Sequence, residues 1–217
     1  MVFRVLFTSL LALASAGWGA DATPLILRSR EASARVENAP GSAAKKHAAT
    51  ESLELAREAV AADPENADAH VALAIALGKM TDFADNRTKM SSARSIRSEA
   101  EAALRLDPRN AVACRILGKW HAEMSRLNPV LKAIATTLYG KLPDASPEQA
   151  EGYFRRAAAT SPENIPAHAE LALFLEQTGN RKEALVEWQK VLLLQPVDGE
   201  DRAFLSQARA AVILKAR

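Results

Sequence analysis

Cys114 and His121 are the residues of this sequence that could form a nucleophile and its base. They stand seven positions apart, a spacing that places both on one face of an α-helix. A thiol beside an imidazole is the arrangement of a cysteine nucleophile. However, both occupy positions where the corresponding helices elsewhere in the chain hold packing residues. We therefore predict that the pair belongs to a helix interface and that the protein is not an enzyme.

The other residue types give no second site for chemistry. The histidines are far apart in the sequence, with no His-Glu-x-x-His motif and no cysteine pair beside them, and the single cysteine excludes an internal disulfide. The nine glycines are scattered singly, so no glycine-rich loop can hold a phosphate. We therefore expect neither a metal nor a cofactor. The histidines are His47, His70, His121 and His168.

The composition is that of an ordinary soluble globular protein. Apolar residues make up 48% and charged residues 25% of the 217 residues, and the net charge is only +2. So small a net charge gives no electrostatic reason to expect a nucleic-acid partner. The abundance of alanine and the aromatic content of 5% favour helices that pack closely together.

Residues 1–20 have the layout of a secretory signal peptide. One basic residue, Arg4, precedes an apolar run over residues 5–16, and Ala14-Ser15-Ala16 matches an A-x-A cleavage site. We therefore expect an exported protein, periplasmic if the source is bacterial. The alternative is an uncleaved N-terminal membrane anchor, although the run is shorter than the about 20 residues that a spanning helix needs.

Four prolines divide the rest of the chain into similar units. The last spacing is 196 − 162 = 34 residues, and the earlier ones are 108 − 64 = 44 and 162 − 108 = 54. An alanine or a valine stands five residues before each proline, and an asparagine or an aspartate stands two residues after it. Because a proline ends a helix and an asparagine caps the next one, the pattern predicts stacked helical hairpins. The prolines are Pro64, Pro108, Pro162 and Pro196.

This pattern resembles the tetratricopeptide repeat family, whose period is about 34 residues. The resemblance implies an all-α fold, a right-handed superhelical solenoid of helical hairpins. Small residues such as Ala74, Gly118 and Ala172 would let the helices approach closely. We predict that the chain is divided into an N-terminal helical segment at 21–49, repeats over 50–198 and a C-terminal capping helix at 199–217.

The two longer spacings indicate insertions within the repeats, near 81–95 and 125–146. The second insertion has apolar residues at helical spacing, which predicts a helix that packs its apolar face on the array. These residues are Leu127, Val130, Leu131, Ile134 and Leu138.

A narrower resemblance covers about residues 50–200. The segment NRTKMSSARSIRSEAEAALRLDPRNAVACRILGKWHAEMS, residues 86–125, and a following P-x-A-S-x-E-x-A turn are similar to the regulator of microtubule dynamics family. Leu117-Gly118-Lys119-Trp120 carries much of this resemblance, and Phe154 supplies the aromatic residue of the next helix. The family implies an interaction scaffold without catalytic residues, associated in eukaryotes with microtubules and organelle contacts. The alanine- and arginine-rich sequence indicates a bacterial, exported member.

The concave side of such a solenoid is the predicted partner-binding surface. It is lined by the first helix of each unit, at residues seven, eleven and fifteen positions after each proline. An acidic or C-terminal end of a peptide could pair with the basic members, and the alternative is a set of solvated charges. The candidates are Val71, Ile75, Lys79, Arg115, Lys119, Glu123, Leu173 and Gln177, with Ala169 beside them.

A second basic cluster lies in the first insertion and comprises Arg87, Lys89, Arg94 and Arg97. It is consistent with a solvated surface, or with a site for anionic lipid or an acidic partner. The sequence thus favours a non-catalytic scaffold that binds a peptide or a helix of a partner protein in the concave groove. The alternative is a membrane-tethered structural scaffold that acts through the basic insertion. The sequence leaves the identity of the partner and the oligomeric state open.

Overall fold

Short turns at the Asp-Pro and Ser-Pro positions separate the helices. The structure is a computed structural model that describes residues 21–128, 130, 132–133, 136–137, 140 and 144–215. Within these ranges the chain is helical, without a β-strand. The helices with defined bounds are α1 Thr23–Asn38, α2 Gly41–Ala62, α3 Ala67–Met80, α4 Asn86–Leu106, α5 Ala111–Ser125, α6 Pro147–Thr160, α7 Ile165–Gln177, α8 Arg181–Leu193 and α9 Gly199–Lys215.

The asparagine that follows each proline caps the next helix, as predicted. The side-chain oxygens of Asn66, Asn110 and Asn164 accept hydrogen bonds from the backbone N–H groups of residues 69, 113 and 167, at 3.2, 2.9 and 2.9 Å. An asparagine in this position satisfies a backbone donor that the first turn of a helix leaves unpaired. The local sequence therefore both ends one helix and starts the next.

The helices pack as successive antiparallel hairpins, α1 with α2, α3 with α4, α5 with α6 and α7 with α8. The first helices also contact one another along the series α1, α3, α5, α7, and α9 covers α7 and α8. This arrangement confirms the all-α solenoid. The predicted boundary at 49/50 lies in the middle of α2, because α1 and α2 already form a hairpin that adds one unit to the N-terminal end of the array.

The first insertion mainly lengthens α4. Thr81–Phe83 form a short 3-10 helix, and residues 86–95 of the predicted insertion are the first turns of α4. The Asp85 carboxylate caps this extension by accepting a hydrogen bond from the Thr88 N–H at 2.7 Å. The added residues thus continue a repeat helix.

The second insertion differs from its prediction at Val130, whose side chain is 67% exposed and does not pack on the array. Leu127 is half-buried. Leu131, Ile134 and Leu138, the other residues of the predicted apolar face, lie outside the described residues, as does the signal-like segment 1–20. Across the described ranges no helix is both long enough and apolar enough to cross a bilayer.

Small residues set the distance between neighbouring helices, both within and between the hairpins. Ala103, Ala113 and Ala157 are fully buried at helix contacts, and α5 meets α6 where Gly118 lies against the ring of Phe154. A Cβ atom at position 118 would stand 2.8 Å from two carbons of that ring. Since Phe154 is 3% exposed and also packs on Phe174 with ring centroids 5.4 Å apart, the ring has little room to move. The spacing of α5 and α6 therefore requires glycine at position 118.

We expect Gly118→Ala to lower the free energy of unfolding by about 1–3 kcal/mol, because the added methyl group overlaps the Phe154 ring. Urea denaturation measures the change. The matched control is Gly152→Ala on the exposed side of α6, where an added Cβ meets no atom within 4 Å. That substitution should raise stability by about 0.5–1 kcal/mol through helix propensity alone. Equal stability of wild type and Gly118→Ala would contradict the close contact.

Candidate functional site

The exposure of the predicted groove residues rises with their distance from the proline. At the seventh position Val71 is 1% exposed, Ala169 is 0% exposed, and the Arg115 side chain is 14% exposed. At the eleventh position Ile75 and Leu173 are half-buried, whereas the Lys119 side chain is 63% exposed. The groove surface is therefore formed by the later turns of the first helices.

Val71, which we predicted to line the groove, is buried in the structure. Its side chain packs with Ala103 of α4 and Ala113 of α5, where successive units meet. The close approach of α3 and α5 encloses the side chain, so Val71 holds the units together. Ile75 borders the same cluster, and Leu173 borders the cluster around Trp188, so both keep part of their apolar surface accessible.

Arg115 forms a buried ion pair across two repeats. Its Nε and Nη2 atoms donate to the two carboxylate oxygens of Glu170 on α7, at 2.8 and 2.9 Å, and the Glu170 side chain is 6% exposed. Burial acts to lower the pKa of Arg115, but the bonds to Glu170 and Glu200 outweigh it and raise that pKa. We predicted that Arg115 binds a partner, but one edge of its guanidinium already binds Glu170 of the same chain.

Two further charged groups complete an ion cluster at the same place. The Lys119 Nζ lies 3.3 Å from Glu170 Oε1, and the Arg115 Nη2 donates to Glu200 at the start of α9 over 3.4 Å. We call Arg115, Lys119, Glu170 and Glu200 the α5–α7 ion cluster. It contains two cations and two carboxylates, and Lys119 and Glu200 are its accessible members, with side chains 63% and 54% exposed.

At the other end of the groove Lys79 is paired with Glu37 of α1. The hydrogen bond and the charge of Lys79 hold the pKa of Glu37 below its ordinary value, and Lys45 and Lys119 contribute smaller effects. Helix α1 therefore supplies part of the groove wall. Sequence reasoning missed Glu37, because it placed α1 outside the repeats.

Glu123 and Gln177, the predicted residues at the fifteenth position, lie at the ends of α5 and α7. Arg126 donates to the side-chain oxygen of Gln177, and its guanidinium lies 3.8 Å from the Glu123 carboxylate. Both predicted residues are exposed. The structure thus brings them together around Arg126, which the sequence pattern did not single out.

The basic cluster of the first insertion is not one continuous cationic surface. Arg97 lies over the Trp120 ring at 5.0 Å and donates to Glu101 at 2.7 Å, so its charge is used in packing α4 against α5. Arg94 donates to the Gly140 carbonyl at 3.4 Å. Arg87 and Lys89 are exposed near the start of α4.

Cys114 and His121 are both buried and are not joined by a hydrogen bond in the described structure. Cys114 is 0% exposed, and burial raises the pKa of its thiol, which disfavours the thiolate needed for a nucleophile. His121 is 2% exposed and stacks on Tyr153 at 5.4 Å.

In the described part of the chain no three His, Cys, Asp or Glu side chains come together as metal ligands would. Trp120 and Trp188 belong to the core, with exposed fractions of 6% and 1%.

Two other histidines form a bridge that sequence reasoning missed. The two ring nitrogens of His168 contact Glu187 at 2.6 Å and the Pro162 carbonyl at 2.9 Å. His70 makes the same pair of contacts in the first of the proline-marked units, with Glu99 at 2.6 Å and Pro64 at 2.9 Å. Burial acts to raise the pKa of Glu187, but the bonds from His168 and Lys190 hold it below its ordinary value.

The signal for this bridge was present in the repeat register. The histidine stands six residues after one proline, and the glutamate stands nine residues before the next. In the middle unit Cys114 and Tyr153 occupy these two positions, so the bridge is absent there. The same His–Glu pair thus recurs at the same positions in the first and third of the proline-marked units, which packing residues alone would not require.

A shallow hollow of about 540 Å³ lies between α6 and the end of α8, on apolar residues that include Leu171 and Leu194. Its cations are engaged within the chain: Lys190 with Glu187, and Arg155 with Glu151 and Glu183. The hollow therefore offers an apolar surface whose charges are already paired. The cations of the α5–α7 ion cluster are paired within the chain as well, but this cluster lies on the first helices that line the predicted groove, and we therefore take it as the candidate site.

Comparison with known proteins relates this architecture to one family. A family model described as "Regulator of microtubule dynamics protein 1-3" matches residues 20–216. Regulator of microtubule dynamics protein 1 of Bos taurus is 30% identical over 118 residues, which is 54% of this chain and 37% of the relative. Protein 2 of Homo sapiens is 26% identical over 159 residues, 73% of this chain and 39% of the relative. The chain thus spans about two fifths of the length of these relatives.

Among solved structures, a thermophilic TPR protein of Thermus thermophilus is similar to this chain with a TM-score of 0.58 and 17% sequence identity. The match covers 85% of this chain and 89% of that structure. At this level of identity the likeness concerns the fold, and it agrees with the stacked helical hairpins described above.

The pKa of His121 leads to a pH dependence of stability. Burial lowers this pKa, the charge of Arg97 lowers it further, and Glu101 acts in the opposite direction. The unfolded chain therefore binds more protons than the folded one below about pH 6.5, and stability falls as the pH drops from there towards the folded-state pKa. Buried leucines occupy the equivalent positions 77 and 175, so leucine should fit.

We expect His121→Leu to lose less stability than wild type between about pH 7 and pH 5, because a leucine cannot take up a proton. Urea unfolding at several pH values measures this. Leu77→Met, at the equivalent buried position of the first proline-marked unit, exchanges no titratable group; it is the control and should keep the shape of the wild-type pH profile. Parallel profiles for wild type and His121→Leu would show that His121 is not held neutral.

Proposed function

The chain belongs to the family of regulator of microtubule dynamics proteins 1-3, and from this we propose that it is a non-catalytic scaffold for protein–protein interaction. It binds a peptide or a helix of its partner along the groove formed by α3, α5 and α7. The observation that carries the proposal is the exposed Lys119 beside the buried Glu170, with the half-buried apolar side chains of Ile75 and Leu173 on the neighbouring first helices. A partner with apolar and acidic groups matches this surface.

The groove is held in shape by ion pairs within the chain. The Lys79–Glu37 pair joins α3 to α1, and the Arg115–Glu170 pair joins α5 to α7. Because these pairs fix the relative positions of the first helices before a partner arrives, little conformational entropy is lost on binding. The fold and family are those of scaffolds, and the buried Cys114 and His121 give no reason to add a catalytic role.

The groove proposal is tested by reversing the charge of Lys119. Lys119→Glu should reduce partner capture from an envelope extract by at least about tenfold. The new glutamate would repel the acidic groups of the partner, which Lys119 attracts in the wild type. Arg115→Glu is unsuitable, since it breaks the buried ion pair and sets a second carboxylate against Glu170 with Lys119 alone beside them, which destabilises the fold by about 3–5 kcal/mol. The matched control is Lys182→Glu, an exposed change on α8 outside the groove.

Three results are possible. Loss of a partner with Lys119→Glu and its retention with Lys182→Glu supports the groove. Equal capture by both variants, combined with loss in Arg87→Glu/Lys89→Glu, would replace the groove with the basic insertion of a membrane-tethered scaffold. If neither the wild type nor any variant captures a partner, although their circular dichroism spectra show that all of them are folded, the scaffold role is contradicted.

Export is part of the same proposal, because the signal-like residues 1–20 precede the first repeat helices. The intact mass of the protein recovered from bacterial envelopes is expected to lack 16 residues if cleavage follows Ala16 of the A-x-A motif, or about 20 if cleavage follows the small residues after it. A full-length mass in a membrane fraction would favour the uncleaved anchor instead.

A further inference from the structure

We infer that Arg115 and Lys119 form a carboxylate-binding site and that the Glu200 carboxylate of α9 occupies this site in the absence of a partner. An acidic side chain or the C-terminal carboxylate of a bound peptide displaces Glu200. This inference rests on the proposed scaffold function, because it identifies the chemical group by which the groove recognises its partner.

The Arg115 guanidinium has two edges that can each hold a carboxylate. The edge formed by Nε and Nη2 is taken by Glu170 through two short hydrogen bonds of 2.8 and 2.9 Å. The edge formed by Nη1 and Nη2 holds Glu200 through a single bond of 3.4 Å from Nη2. One edge is therefore saturated and the other is only weakly occupied.

The weakly occupied edge keeps a donor available. Nη1 of Arg115 donates no hydrogen bond to any described residue. Nη1 also keeps some contact with solvent. Among the described residues, the one side-chain nitrogen or oxygen that is both completely buried and without a hydrogen-bond partner is Nδ1 of His121, and Nη1 of Arg115 is therefore not completely buried. A carboxylate that approaches from the groove can accept hydrogen bonds from Nη1 and Nη2 together, whereas Glu200 accepts one.

Lys119 adds a second cation beside Arg115. Its Nζ lies 3.3 Å from Glu170 Oε1, the oxygen that also accepts from Arg115 Nη2 at 2.9 Å, so its charge adds to that of Arg115 next to the edge that Glu170 occupies. Without Glu200 the cluster holds two positive charges and one negative charge. One carboxylate from outside restores neutrality, which is the charge complementarity that the site offers to an acidic ligand.

Glu200 can leave this site while the helix that carries it stays in place. The Glu200 side chain is 54% exposed, and an exposed ion pair is weak. In contrast, α9 is fixed by the buried Leu205 and Ala208, which pack in the cluster around Trp188. Its first turn is capped by Asp198, which accepts from the Asp201 N–H at 2.9 Å. Displacement therefore requires rotation of one side chain. Glu170, which is 6% exposed, remains bound and keeps Arg115 oriented.

The test uses N-acetylglutamate N-methylamide as the probe, because it carries one side-chain carboxylate in a peptide-like frame. The NMR signal of the Arg115 Nε–H reports on binding. We expect a saturable shift in wild type and about two- to fivefold tighter binding in Glu200→Gln, which is the gain that corresponds to removal of an exposed competing ion pair. The uncharged glutamine analogue of the probe should give no shift.

Two variants make the result specific. Glu58→Gln removes the same charge from an exposed position on α2 and should bind the probe as wild type does. Lys119→Met should weaken binding in the Glu200→Gln background. Equal affinity of wild type and Glu200→Gln, or no saturable shift of Arg115 in either protein, would overturn the assignment.

This experiment separates the carboxylate site from the scaffold role. If a partner is captured through Lys119 but the probe does not bind, the carboxylate site is wrong and the scaffold role stands. If the probe binds in competition with Glu200 but no partner is captured, the site is correct and the scaffold role is wrong.

Discussion

The close approach of neighbouring helices is the constraint on which the rest of this structure depends. Alanines fill the contacts between hairpins, and at Gly118 even a methyl group would overlap the Phe154 ring. Helices at this distance bring the polar faces of successive first helices within reach of each other. A long side chain on α5 therefore meets a carboxylate on α7, and the chemistry of the groove follows from the packing beneath it.

The ion pairs of the concave side combine a cost with a benefit. Removing Arg115 and Glu170 from water is unfavourable, and their two hydrogen bonds and mutual attraction offset this only because the geometry is bidentate. An apolar pair could hold α5 and α7 equally well. What the ionic pair adds is orientation, since the guanidinium plane is fixed with its second edge towards Glu200. Stability and recognition thus use the same residue.

Much of the fold could be predicted from the sequence, because its signals are local. A proline followed two residues later by an asparagine marks a helix end and a cap whatever the tertiary structure, and Asn164 behaves as this rule requires. The site was less predictable. Counting from the proline places Val71 and Arg115 at the same position, yet one is enclosed by alanines and the other reaches Glu170, which lies 55 residues away. Such a pairing depends on the distance and rotation of two repeats, and no local pattern encodes either.

The missing histidine bridge of the middle unit changes which side chain holds its turn. Buried or nearly buried imidazoles hold the turns at Pro64 and Pro162, but the Pro108 carbonyl receives its hydrogen bond from Arg156, an exposed side chain that water can replace. The turn at Pro108 is therefore the one of these three whose proline carbonyl can exchange its protein partner for water without displacing a buried group. Its backbone bond from the Asn110 N–H to the Asp107 carbonyl, at 3.1 Å, matches those of the other two turns, so the difference is confined to the side chain that spans the unit.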